Sequence, residues 1–66
     1  MKRYDLETEQ RMQYFYSTLN EKDQRHYAAL EAGKLGHGGI VYISDLFGCS
    51  RQTIYSGLEE LEKKIS

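Results

Sequence analysis

The seven residues Gly48-Cys49-Ser50-Arg51-Gln52-Thr53-Ile54 constrain this chain more than any other stretch. A glycine stands where a chain leaving a helix must pass through positive φ, a conformation that costs glycine no Cβ clash. Cys49 is small enough to sit inside an elbow. Ser50 can accept a hydrogen bond from the amide of Gln52 or Thr53 and so open a new helix. Ile54 then begins an apolar stripe. A helix that stops at a glycine, turns and restarts at a serine cap predicts a helix-turn-helix, whose second helix is the one that enters a DNA major groove.

The rest of the chain reads as helix around that turn. It has no proline and few β-branched residues, while Glu, Gln, Lys, Arg, Leu and Ala are common, a balance that favours an all-α fold. Asp5 to about Thr18 forms the first predicted helix, with Leu6, Met12, Phe15, Tyr16 and Leu19 at rough helical spacing. Leu6 is out of phase with the others, and the residues before Asp5 are expected to fray. Asp5, Glu7 and Glu9 lie where the helix dipole favours acids. Asn20 is the expected N-cap of a second helix, from Glu21 to Ala32 or Lys34, with Tyr27, Leu30, Ala28 and Leu35 facing inward. Gly33 and Gly36 both qualify as its C-cap. Ile40 to Phe47 is the short first helix of the motif, with Ile40, Ile43 and Phe47 at i, i+3 and i+7 and Leu46 beside them. Ile40-Val41-Tyr42-Ile43 also suits a strand, but the glycine turn and serine cap downstream favour helix. The last helix runs from Arg51 to about Lys64; at about 100° per residue, Ile54, Leu58, Leu61 and Ile65 fall on one face and Gln52, Tyr55, Ser56, Glu59 and Lys63 opposite.

The expected organisation is therefore one helix-turn-helix domain over residues 1–66: an N-terminal helix within 1–19, then three core helices over 20–66 with the recognition helix at 51–64. A chain this short buries only about 60% of the surface its unfolded form exposes, so its stability is marginal. Its single cysteine excludes an intrachain disulfide and fits a reducing, cytoplasmic setting. No run approaches the roughly 20 apolar residues that span a membrane. Lys63-Lys64-Ile65-Ser66 stands partway through what reads as a continuing helix, as an excised domain would.

Several segments in order, Leu19-Asn20-Glu21, Tyr27 to Ala32, Gly36-His37-Gly38-Gly39-Ile40, Gly48 to Ile54 and Gly57-Leu58-Glu59-Glu60-Leu61, resemble the N-terminal helix-turn-helix region of DDE-type insertion-sequence transposases of the Rhodopirellula group. The resemblance covers roughly Leu19 to Leu61. It implies recognition of transposon DNA ends, with the catalytic acids and their metals on a separate RNase H-like domain that lies outside this sequence. It carries no catalytic residue onto this chain. Where the family is basic just after the Ile54 position, this chain has Tyr55-Ser56, and further on Glu59-Glu60, which implies fewer phosphate contacts.

Double-stranded DNA is thus the expected partner, met by Ser50, Arg51, Gln52, Thr53, Tyr55 and Ser56. Arg51 has the geometry for a phosphate or guanine, Gln52 for adenine, while Ser50 serves mainly as a cap. Three glycines in Gly36-His37-Gly38-Gly39 suggest a phosphate cradle, but the Lys-Ser/Thr ending and preceding strand of a phosphate loop are missing. A flexible turn is the better reading, with the Gly39 amide, at a helix start, placed to meet one DNA phosphate. Nine basic and ten acidic residues give a net charge of −1, unusual for a DNA-binding domain. That balance supports the alternative, a protein-interaction or dimerisation module, with a homodimer through the tyrosine-rich first helix. The tyrosines there, Tyr4, Tyr14 and Tyr16, are expected to pack rather than stack on bases. Cys49, His26 and His37 do not make the four-ligand pattern of structural zinc; Cys49 is expected to be buried in the turn and His26 solvated. No metal, cofactor, small-molecule substrate or catalysis is expected, since no carboxylate pair faces a plausible cleft.

Overall fold

Asp5 and Asn20 each start a helix by the same local chemistry. The Asp5 carboxylate accepts the Thr8 amide at 2.8 Å, and the Asn20 side-chain oxygen accepts that of Asp23 at 2.8 Å. A computed structural model describes residues 1–65, the last of them by its backbone alone. Its elements are α1 (Leu6–Thr18), α2 (Glu21–Leu35), α3 (Gly39–Phe47) and α4 (Arg51–Ile65). The fold is all-α, and no strand occurs among the described residues; Ile40-Val41-Tyr42-Ile43 is helical. Ser66, the end of the expected domain, lies outside the described residues, as does the Ile65 side chain expected on the buried face.

Of the two candidate C-caps of α2, Gly36 is the one used, and Gly33 remains inside the helix. α3 ends at Gly48, whose φ of 68° and ψ of 27° put it in the left-handed region. The Cys49 amide then returns to the Ser44 carbonyl at 3.1 Å. Ser50 Oγ accepts the Thr53 amide at 3.1 Å, which starts α4.

α2 is the central helix and packs most extensively against α4 and α3; α1 lies more lightly across α2 and α3. The core joins Met12, Ala28, Ala32, Tyr42, Ile43 and Ile54, with Leu58, Leu35, Ile40 and Phe47 packed around it. Ala28 and Ala32 from α2 are enclosed, as is Ala29. Leu30, expected to face inward, is instead 54% exposed. The reason is steric: α2 meets backbone on two sides, at Gly57 of α4 and Gly39 of α3, and only small side chains fit between helices so close.

α1 is attached through aromatic rings. Tyr16 stacks on Phe47 at 4.4 Å between centroids, Phe47 on Tyr27 at 5.5 Å, and Phe15 meets Tyr27 edge-on at 5.1 Å. Gln13 Nε2 donates to the Leu46 carbonyl at 2.9 Å, one of the terminal carbonyls of α3. Of the residues before Asp5, expected to fray, Tyr4 is tied down. The Tyr4 amide donates to the Tyr42 hydroxyl at 3.2 Å, and the Tyr4 hydroxyl donates to Glu31 Oε1 at 3.0 Å. His26, expected to be solvated, is half-buried, with Nε2 2.8 Å from Glu60 Oε1 on α4. A carboxylate only accepts, so His26 holds a proton on Nε2.

Candidate nucleic-acid interface

α4 begins at Arg51, and residues four apart on a helix stand one above the other. Arg51 and Tyr55 therefore form one exposed row, and the exposed Gln52 and half-buried Ser56 the next. Both Arg51 and Tyr55 line a shallow surface depression whose other wall is the glycine turn and the first turn of α3: Gly36, His37, Gly38, Ile40 and Val41. Two residues predicted to contact DNA thus meet the start of α3, with the exposed His37 beside them. Lys34, in the last turn of α2, is engaged by Glu31 at 3.4 Å.

The other expected contacts are placed differently. Gln52 is exposed and its Nε2 reaches Ser56 Oγ at 3.5 Å; Ser56 itself is half-buried. Ser50 and Thr53 are turned toward each other, their hydroxyl oxygens 2.9 Å apart, so both are occupied in starting the helix. Gly39 is buried, and its amide donates to the Gly36 carbonyl at 2.9 Å. A Cβ built on it would stand 2.6 Å from the Ala32 carbonyl oxygen, so glycine at this position lets α3 approach α2.

The structure adds residues that periodicity did not single out. Val41, 42% exposed, stands on the outer face of the first turn of α3. Arg3 lies over the Tyr42 ring, its guanidinium carbon 5.0 Å from the centroid. Tyr42 is buried, and its hydroxyl donates to Glu9 on α1. Burial, then the bond to Glu9, raises the pKa of the Tyr42 phenol above 10.0. None of these contacts has a local signature in the sequence, because each joins positions far apart in the chain.

Cys49 is half-buried rather than enclosed, against Tyr16. Burial raises its thiol above 9.0, so it is a protonated packing group at neutral pH. Among the described residues no group of three His, Cys, Asp or Glu side chains stands where it could hold a metal ion, and no helix is long and apolar enough to cross a membrane.

Comparison with known proteins finds no matching family model, no matching curated protein and no matching solved structure.

Proposed function

We propose that this domain binds double-stranded DNA as a helix-turn-helix, with α3, the Gly48-Cys49-Ser50 turn and α4 as the motif and α4 as the recognition helix. The observation that carries the reading is the exposed depression lined both by Arg51 and Tyr55 of α4 and by the glycine turn before α3. In such a docking Arg51 at the start of α4 meets a phosphate, the rest of that first turn faces the base edges, and the start of α3 faces the phosphate backbone, where its dipole is positive. Gln52, exposed beside Arg51, then reads a base, and Ser56 lies one turn further into the groove. The resemblance of Leu19 to Leu61 to the transposase N-terminal region narrows the proposal to recognition of a transposon end. With a net charge of −1, affinity rests on few phosphate contacts and falls with salt along a shallow slope, about 0.9 per contact.

The test is an anisotropy titration of a labelled mixed-sequence DNA duplex at several salt concentrations. Binding whose logarithm falls linearly with log salt is expected, with Arg51→Ala lowering the slope by about 0.9. A folded wild-type protein that binds no duplex at low salt would sink the reading. The rival, a protein-contact module, draws on α1, where Tyr14 and Phe15 are 74% and 49% exposed; self-association in sedimentation, abolished by Tyr14→Ser with Phe15→Ser, would favour it.

A further inference from the structure

The start of α3 has a second flank. Gly38 and Val41, which border the depression with Arg51, also border another one lined by Arg3, Tyr42 and Asp45. The first turn of α3 is therefore a ridge with an arginine on either side. Arg51 reaches one side from α4; Arg3 reaches the other from the chain before α1. Both are exposed, as is Lys2 next to Arg3.

Arg3 is not on a loose tail. Its guanidinium lies over the Tyr42 ring, and the next residue is held at both ends, its amide by Tyr42 and its hydroxyl by Glu31. The two acids nearest this flank differ. Glu9 is occupied by the Tyr42 hydroxyl. Asp45 is exposed and lines the same depression, four residues beyond Val41, so it lies about 6 Å further along α3 at about 1.5 Å per residue. Arg3 and Arg51 thus flank the start of α3, Asp45 lies toward its end, and Glu9 also lines the Arg3 side.

We infer that Lys2 and Arg3 form a second contact to the DNA backbone, so that the first turn of α3 is clamped between phosphate contacts from the N-terminal arm and from α4. This rests on the DNA reading above. It supplies cationic groups from outside the recognition helix, which carries Tyr55-Ser56 and Glu59-Glu60 where more phosphate contacts would have been expected. It also assigns Asp45 a role, as a charge that limits how far along α3 the backbone can lie.

The test uses the full chain and the same labelled duplex. Arg3→Ala is expected to lower the salt slope by about 0.9 and to weaken binding roughly eightfold near 0.1 M salt, with a thermal melt reading separately the loss of its contact with the Tyr42 ring. Asp45→Asn, which removes charge without a cavity, is expected to tighten binding. Salt-dependent binding that Arg51→Ala weakens, but that Arg3→Ala and Asp45→Asn both leave unchanged, would overturn the clamp and keep the DNA reading. Wild-type protein that binds no duplex would overturn both.

Discussion

A Cβ built on Gly57 would stand 2.6 Å from the carbonyl oxygen of Arg25 and 2.8 Å from the Ala29 Cβ, so α4 and α2 touch backbone to backbone at this point. Backbone cannot give way as the end of a long side chain can. The contact fixes how α4 crosses α2, and through that crossing the direction in which Arg51 and Tyr55 project. Gly57→Ala is expected to destabilise the domain by about 1–3 kcal/mol, the range for overpacking a tight core. Urea denaturation measures it. A midpoint equal to or above the wild type would mean that the helices separate at no cost.

Gly33 is the control. It is helical, exposed and has ordinary φ, and a Cβ there would meet only the Leu58 side chain at 3.5 Å, normal van der Waals distance. The helix penalty of glycine is then paid with no steric return. Gly33→Ala is expected to stabilise by roughly 0.5–1 kcal/mol. The two alanine variants should thus move the denaturation midpoint in opposite directions, although both residues lie within helices at the same α2–α4 contact.

Tyr42→Phe keeps the ring under Arg3 and removes the hydroxyl that donates to Glu9 and accepts the Tyr4 amide. The expected loss is about 1–3 kcal/mol, because one partner is a carboxylate. The amide of Tyr4 should also exchange faster with solvent. The wild-type phenol has a raised pKa in the folded state, chiefly from burial, so its neutral form is favoured there. Its stabilisation is present below pH 10 and lost as pH rises through the folded pKa. Tyr42→Phe should therefore weaken the alkaline loss of stability; the fall that remains belongs to Tyr4, Tyr16, Tyr27 and the Cys49 thiol, whose pKa values burial also raises.

What could be read from the sequence divides along the reach of each interaction. Asn20, Gly48 and Ser50 act on amides or carbonyls within a few residues, so the starts of α2 and α4 and the stop of α3 were legible; Asp5, read as the first acid of its helix, is the N-cap one residue before it. The stripe of Ile54, Leu58 and Leu61 was legible as well, since one face of one helix creates it. Leu30 was misread because the choice between it and Ala29 depends on how near α4 comes, which Gly57 sets from far along the chain. The tethered arm and the His26–Glu60 contact were missed for the same reason: Tyr4 meets Tyr42, and α2 meets α4, only once the helices have packed. Within the candidate interface, the exposure of Gln52 and Tyr55 on α4 was legible by angle, but the half-buried Ser56, the Ser50–Thr53 pairing and the use of the Gly39 amide by Gly36 were not.

Glu60 joins α4 to α2 by accepting from Arg25 Nε at 2.9 Å and lying 2.8 Å from His26 Nε2. The hydrogen bond from Arg25, then that from His26, holds its carboxyl below the ordinary 4.5. A carboxyl with a lower pKa when folded takes up its proton first in the unfolded chain. Its stabilisation is therefore complete above pH 4.5 and is lost as pH falls through the folded value. The expected outcome is a urea midpoint that declines on acidification below that pH. Glu60→Gln keeps the shape and an acceptor oxygen but no longer titrates, so it should be less stable than the wild type at neutral pH and lose less on acidification. Asp5, lowered by its bonds to Thr8, has the same sign, and its share persists in Glu60→Gln. Parallel acid limbs in the two proteins would show that the α2–α4 bridge does not carry the acid sensitivity.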